Sequence, residues 1–173
     1  MLKYVIYDDI WKYERQLRFC EYVDNCSKSK VWLKKLAPFA NFRLYRMSRK
    51  TGFQIPLNVF DKGLSIAHIG TIIVNKSAKV GKNCRIHDGV CIGAENRNPI
   101  AANIGDNCFI ATGVKIIGEV EIGDNIAIGA NAVVTKSFPE GNITIAGVPA
   151  RKISEENSFS NLNQKLMECE LLH

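Results

Sequence analysis

Histidine is scarce in this chain, with three in 173 residues, and no two of its six cysteines form a CxxC pair. Neither a zinc-ligand pattern nor a disulfide framework is indicated. Cys20, Cys26, Cys84, Cys91, Cys108 and Cys169 read as small buried or surface thiols in a reducing compartment. Long apolar runs are also missing. None approaches the roughly 18 residues of a membrane span, and Asp8, Asp9 and Lys12 interrupt the stretch where a secretory leader needs its apolar core. A cytoplasmic protein is expected. Hydrophobic residues make up 46% of the chain and charged residues 23%, a globular composition that excludes disorder. At this length one domain, or a domain with an extension, is expected.

Acidic residues are short in one region. The net charge of +6 is unevenly spread: residues 1–60 hold 12 basic and 5 acidic side chains, residues 61–173 hold 11 and 12. Trp11, Tyr13, Phe19, Trp32, Phe39, Phe42 and Tyr45 are interleaved with the N-terminal cations. The plain reading is amphipathic helices whose Lys and Arg face water. The alternative is weak attachment to the inner membrane surface, where each cation contributes about 1 kcal/mol. No nucleic-acid-binding motif accompanies the charge.

What the chain does have is a repeat. From residue 74 an aliphatic side chain recurs every six positions: Val74, Val80, Ile86 and Ile92, then Ile104, Ile110, Ile116, Ile122, Ile128 and Val134. Small or apolar residues follow four positions after most leads (Ala78, Cys84, Val90, Cys108, Val114, Val120, Ile126, Ala132). A period of six suits neither a helix nor an alternating strand. It suits a chain that turns a corner every six residues, so that three short strands close one triangular coil. With 18 residues per turn and the register carried through 92–104, the expected stacks are Ile86/Ile104/Ile122, then Val74/Ile92/Ile110/Ile128, then Val80/Ile116/Val134 with Asn98 at the interrupted turn. Corners are expected at Gly-Lys-Asn 81–83 and Gly-Asp-Asn 105–107 and 123–125, whose residues tolerate positive φ. The fold class is mainly β: a single-stranded, left-handed parallel β-helix with an N-terminal α-helical segment and a short C-terminal helix. The expected divisions are 1–60 helical, 61–153 β-helix, and 154–173 a C-terminal helix or tail. Helices are expected over 1–25 and 29–50, broken near Asn25–Ser27 and Pro38, with 51–63 an irregular lead into the first coil.

The segment IGDNIAIGANAVVTKSFPEGNITIAGVPARKI resembles the C-terminal half of hexapeptide acyltransferases. GLSIAHIGTIIVN followed by KVGKNCRIHDGVCIG is similar to the serine acetyltransferase family, most of all its short members associated with bacterial surface-polysaccharide synthesis. The resemblance covers roughly 50–153. It implies acetyl transfer from acetyl-coenzyme A to a hydroxyl. That chemistry needs a base for the hydroxyl proton, donors for the developing oxyanion and a groove for the pantetheine arm, but no metal. His68 matches the family's catalytic histidine. His87 lies 19 residues on, one coil plus one residue, and is expected close to His68 on the same face; an acceptor-site role and a plain corner histidine remain equal readings. His173 reads as an exposed tail. The resemblance assigns Gly93, Ala111, Thr112, Gly129 and Ala130 to the donor groove, and Thr135, Lys136, Arg151 and Lys152 to coenzyme A phosphates. It also implies a homotrimer with grooves between neighbouring prisms.

Two positions depart from the family's serine-specific members. Those carry an Asp directly before the catalytic His, contacting the substrate ammonium; here that residue is Ala67. They carry a second His in the interrupting loop, where this chain has Asn98 beside Arg97. Ala67, Arg97 and Asn98 therefore define the expected acceptor side. Their identity points to a sugar hydroxyl of a surface glycan or its precursor, with L-serine, the acceptor in cysteine synthesis, as the alternative. A non-catalytic scaffold is the third reading. A zinc-dependent carbonic anhydrase on this fold would need three metal histidines, and the repeat region has only His68 and His87.

Overall fold

The computed structural model describes residues 8–27, 29–96 and 98–162. The chain enters through helix α1 (Asp9–Cys26), turns, and returns along helix α2 (Val31–Thr51). Asp8 caps α1, its carboxylate accepting from the N–H groups of Ile10 and Trp11 at 3.0 Å, which satisfies donors that a helix start leaves open. Gly52 ends α2 at φ 84, a left-handed cap that glycine adopts without a Cβ penalty. The break expected at Pro38 does not occur: α2 runs through it. Buried Leu33, Ala40 and Leu44 fasten the helix on both sides of the proline, and this burial offsets the roughly 3 kcal/mol that an interior proline costs.

After α2 the chain winds into stacked coils with three walls. The first wall has five parallel strands and the second has three; the third has six, the last antiparallel. Strands begin at Phe53, which pairs with Ile72, so the segment expected to be an irregular lead already forms part of the first coil. The repeat leads do point inward: Val74, Val80, Ile86, Ile92, Ile104, Ile110, Ile116, Ile122, Ile128 and Val134 are all buried.

The stacks, however, differ from expectation. The first wall stacks Val74, Ile92, Ile116 and Val134. The second stacks Val80, Ile104 and Ile122, flanked by bridges from Phe60 and Phe138. The third stacks Ile66, Ile86, Ile110, Ile128 and Ile145. Neighbours across the interruption are 24 residues apart (Val80 and Ile104), whereas later ones are 18 apart (Ile104 and Ile122). The loop after Gly93 uses a whole hexad without building a wall. The six-residue phase is kept while every later lead moves on by one wall.

The three corners differ in chemistry. Between walls two and three, Asn83, Asn107 and Asn125 take positive φ (55, 55 and 59). Their side-chain amides form a ladder, Asn83 to Asn107 to Asn125 to Asn142, at 2.9–3.0 Å. The preceding glycines serve a different purpose: a Cβ on Gly105 would lie 2.2 Å from Asp124 Oδ1 and 2.9 Å from its backbone nitrogen. Asparagine makes the turn and glycine allows the coils to close up.

The open N-terminal end of the coil stack is covered by α1. Glu14, Arg18, Glu21 and Asn25 lie three or four apart, on one helix stripe. Glu14 accepts from the Ile66 N–H at 2.8 Å. Arg18 donates to the carbonyls of Phe60 and Asp61. Glu21 accepts from the Asn58 N–H at 2.9 Å, and Asn25 and Asn58 exchange amide bonds. A coil without a neighbour below has unpaired backbone groups, and the stripe supplies their partners. Beside it Tyr13, Leu17 and Cys20 enter the core.

At the other end, Thr144–Ala146 extends the third wall and Arg151–Ser154 turns back antiparallel to it. The tail then folds onto its own asparagine corner: the Ser158 hydroxyl donates to the Asn107 carbonyl, and its N–H to Asn125 O at 3.2 Å. Among the described residues this tail contains a 3₁₀ turn, Phe159–Asn161. The remainder of the expected C-terminal helix, with Cys169 and His173, lies outside the described residues.

Candidate active site

The corner from wall three to wall one holds the histidines. Each coil crosses it just after an inward isoleucine: Ala67-His68 after Ile66, His87-Asp88 after Ile86, Ala111-Thr112 after Ile110, and Gly129-Ala130 after Ile128. The stacking of those isoleucines sets the two histidines one coil apart. Their ring centroids lie 5.4 Å apart, edge to face at 89°, as the spacing predicted. His68 is exposed. His87 is half-buried, with its other flank against Phe109 at 5.1 Å. Its Nε2 is buried with no hydrogen-bond partner, and such an atom is costly unless something binds to it. Burial, the nearby Arg85 guanidinium and the His68 ring hold its pKa below the ordinary histidine value, against an opposing pull from Asp88. It is the neutral imidazole that sits there at neutral pH.

Asp88 was not anticipated from the sequence. Its carboxylate accepts from the Thr112 hydroxyl at 2.7 Å. That bond, helped by both histidines, lowers its pKa. The carboxylate projects over Gly70, where a Cβ would meet Asp88 Cβ at 2.7 Å and lie 3.6 Å from Oδ2. An ionised carboxylate therefore lies beside the histidine pair, next to the coil where Ala67 carries no acid. The signal that would have found it is spacing: Asp88 follows Gly70 by one coil. Glu14 was also missed. It anchors the N–H of Ile66, two residues before His68, and burial pushes its pKa to about 7.

The other expected residues are distributed over two corners. Ala111, Thr112, Gly129 and Ala130 share the histidine corner; Thr112 is engaged with Asp88, and Gly129 abuts Ala146, which a Cβ would approach to 2.9 Å. Gly93, Thr135 and Lys136 lie where wall one meets wall two. Lys136 Nζ stands 5.4 Å from the Phe138 ring centroid. Arg151 and Lys152 are on the final antiparallel strand, with Lys152 paired to Glu155 at 2.7 Å. Asn98 is in the loop, donating to Glu119 at 2.8 Å on the side away from the histidine corner. Arg97 lies outside the described residues. Among the described residues no cluster of three metal-ligating side chains occurs, and no helix is long and apolar enough to cross a membrane.

Comparison with known proteins gives the same architecture a lineage. The family profile for bacterial transferase hexapeptide (six repeats) matches residues 101–136. The serine acetyltransferase of Staphylococcus aureus is 34% identical over 109 residues, covering 61% of this chain and 51% of that protein. The solved serine acetyltransferase of Brucella abortus superposes with a TM-score of 0.72 at 28% identity, covering 89% of this chain and 60% of that one. Residues 101–136 are therefore bacterial transferase hexapeptide repeats, and the chain is similar in sequence and structure to serine acetyltransferases. A second Brucella abortus serine acetyltransferase structure, in complex with coenzyme A, aligns at 27% identity with a TM-score of 0.70, over 90% of this chain and 60% of that one. The chain spans about half the length of the curated relatives it matches.

Proposed function

We propose that the protein is an acetyl-coenzyme A-dependent O-acetyltransferase with His68 as general base, working on a left-handed coil. The observation that carries this reading is the exposed His68 edge-on to His87, on a corner that continues past Ala111, Gly129 and Ala130. An exposed imidazole suits proton abstraction from a hydroxyl. His68 Nε2 or Nδ1 takes the acceptor's hydroxyl proton, the oxygen attacks the thioester carbonyl, and the C–S bond breaks. The imidazolium returns its proton to the departing coenzyme A thiolate, leaving an acetyl ester. His87, neutral and with an unpartnered nitrogen, holds the acceptor.

For the acceptor, the relatives' names favour L-serine over a sugar. The carboxylate that Ala67 lacks is offered instead by Asp88, beside both histidines and already ionised. In this reading Asp88 contacts the serine ammonium. The sugar reading keeps one observation of its own: Ala67 and Asn98 replace two residues of the serine-specific pattern, and Asn98 is turned to Glu119.

The donor-side residues fall on two different corners of one prism. A cleft between two prisms would bring both sets to one coenzyme A, so a homotrimer belongs to this proposal. The cations Lys136, Arg151 and Lys152 take the phosphates there.

The test is thiol release from acetyl-coenzyme A with L-serine and a panel of sugars, in wild type, His68→Ala and Asp88→Asn. Serine turnover that falls about 10²–10⁴-fold in His68→Ala, with KM for serine raised in Asp88→Asn, is the expected result. Turnover with a sugar but not serine would transfer the acceptor to the second reading. Near wild-type turnover in His68→Ala, or a fully active monomer by light scattering, would overturn the mechanism or the trimer respectively.

A further inference from the structure

Helix α2 has six Lys or Arg residues and no Asp or Glu along its 21 residues. Leu33, Ala40 and Leu44 turn one side of it into the protein. The adjacent side is apolar yet uncovered: Trp32 is 59% exposed, Phe39 68% and Phe42 58%. Trp32, Leu36, Phe39, Arg43, Arg46 and Lys50 recur at spacings of three or four, which places them on one face. Beside this face a groove of about 360 Å³ runs between the helices, lined by Trp11, Arg15, Phe19, Phe39 and Arg43, with the Arg15 guanidinium 4.5 Å over the Trp11 ring.

A water-facing helix does not need four large apolar side chains in a row. A nucleic-acid surface would use the cations but not the aliphatic and aromatic bulk between them. Against α2 of a second copy, the same strip would meet like charge. An anionic bilayer surface suits both components: indole and phenyl rings settle at the headgroup level while Lys and Arg stems reach the phosphates. We propose that this face of α2 docks reversibly on an anionic lipid surface. This is independent of the acetyltransferase reading, because it uses residues remote from the histidine corner.

The experiment is co-sedimentation of the full chain with phosphatidylcholine vesicles, with and without phosphatidylserine, at low and high salt. Trp32 emission would be read in a Trp11→Phe background. Binding to the phosphatidylserine vesicles at low salt, a blue shift of Trp32 and release at high salt are expected. Arg43→Glu/Arg46→Glu should lower binding by roughly fivefold or more per cation. Phe39→Ser/Phe42→Ser should lower it comparably, with both variants keeping the wild-type circular dichroism spectrum and melting temperature. Four results would overturn the proposal: no low-salt binding; binding indifferent to Phe39→Ser/Phe42→Ser; preference for duplex DNA over vesicles; or a smaller assembly mass for Phe39→Ser/Phe42→Ser, which would make the face a contact between copies.

Discussion

Replacing Glu14 with Gln should stabilise the protein at alkaline pH and leave it little changed in mild acid. Glu14 reaches from α1 to the outward-facing N–H of Ile66, on the coil that has no neighbour beneath it. Burial pushes its pKa from 4.5 to about 7, with the Ile66 N–H and Arg18 opposing and Asp8 adding to the rise. A carboxyl whose folded pKa exceeds its unfolded one lends stability below the unfolded pKa and loses it as pH rises through the folded pKa. The loss therefore falls between about pH 4.5 and 7. At about 1.36 kcal/mol per pH unit the ceiling is roughly 3 kcal/mol. Glu14 is only part-buried, which reduces this to about 1–2 kcal/mol. Gln keeps an oxygen for the Ile66 N–H and carries no charge to desolvate. Urea unfolding at pH 5 and pH 8, followed by tryptophan fluorescence, should show the wild type losing about 1–2 kcal/mol more than Glu14→Gln over that interval. If Glu14→Gln were the less stable protein at pH 8, the charged carboxylate would be a net stabiliser and the burial argument would fail.

Further outcomes follow from the corners and the core. Ile110→Ala, at the centre of the longest stack and fully buried, should cost about 2–5 kcal/mol in urea unfolding; a loss under 1 kcal/mol would mean the stack relaxes to fill the space. Gly105→Ala should lower the melting temperature, because its Cβ would meet Asp124 backbone at 2.9 Å; Gly93→Ala, meeting the flexible Ile117 Cδ1 at 3.3 Å and Cys91 Sγ at 3.8 Å, should be far milder, and equal effects would refute the close-approach account. His87→Ala should raise KM for the acceptor more than it lowers kcat; a pure kcat effect would give His87 a role in the chemical step instead. Lys136→Ala and Arg151→Ala should each weaken coenzyme A binding by about 1–3 kcal/mol by calorimetry, and unchanged affinity in both would return them to solvated surface charges.

The six-residue period by itself determined that the chain coils, which side chains face inward and that the two histidines come together. Those properties depend only on local spacing: every inward lead from Val74 to Val134 is buried, and His68 and His87 meet because one coil separates them. Which lead stacks on which was not local. It depended on whether the loop after Gly93 builds a wall, and a hexad spent in a loop has the same length as a hexad spent in a strand. The run through Pro38 was likewise decided at a distance, by the burial of Leu33, Ala40 and Leu44 on either side of it. Asp88 and Glu14 escaped notice for the same reason: a carboxylate's role depends on what faces it, and Thr112, Gly70 and Ile66 face these two only after the coils stack and α1 closes their end. Period and composition are written along the chain, but partners across a corner or an open coil end come from tertiary packing, because they join residues 18–52 positions apart.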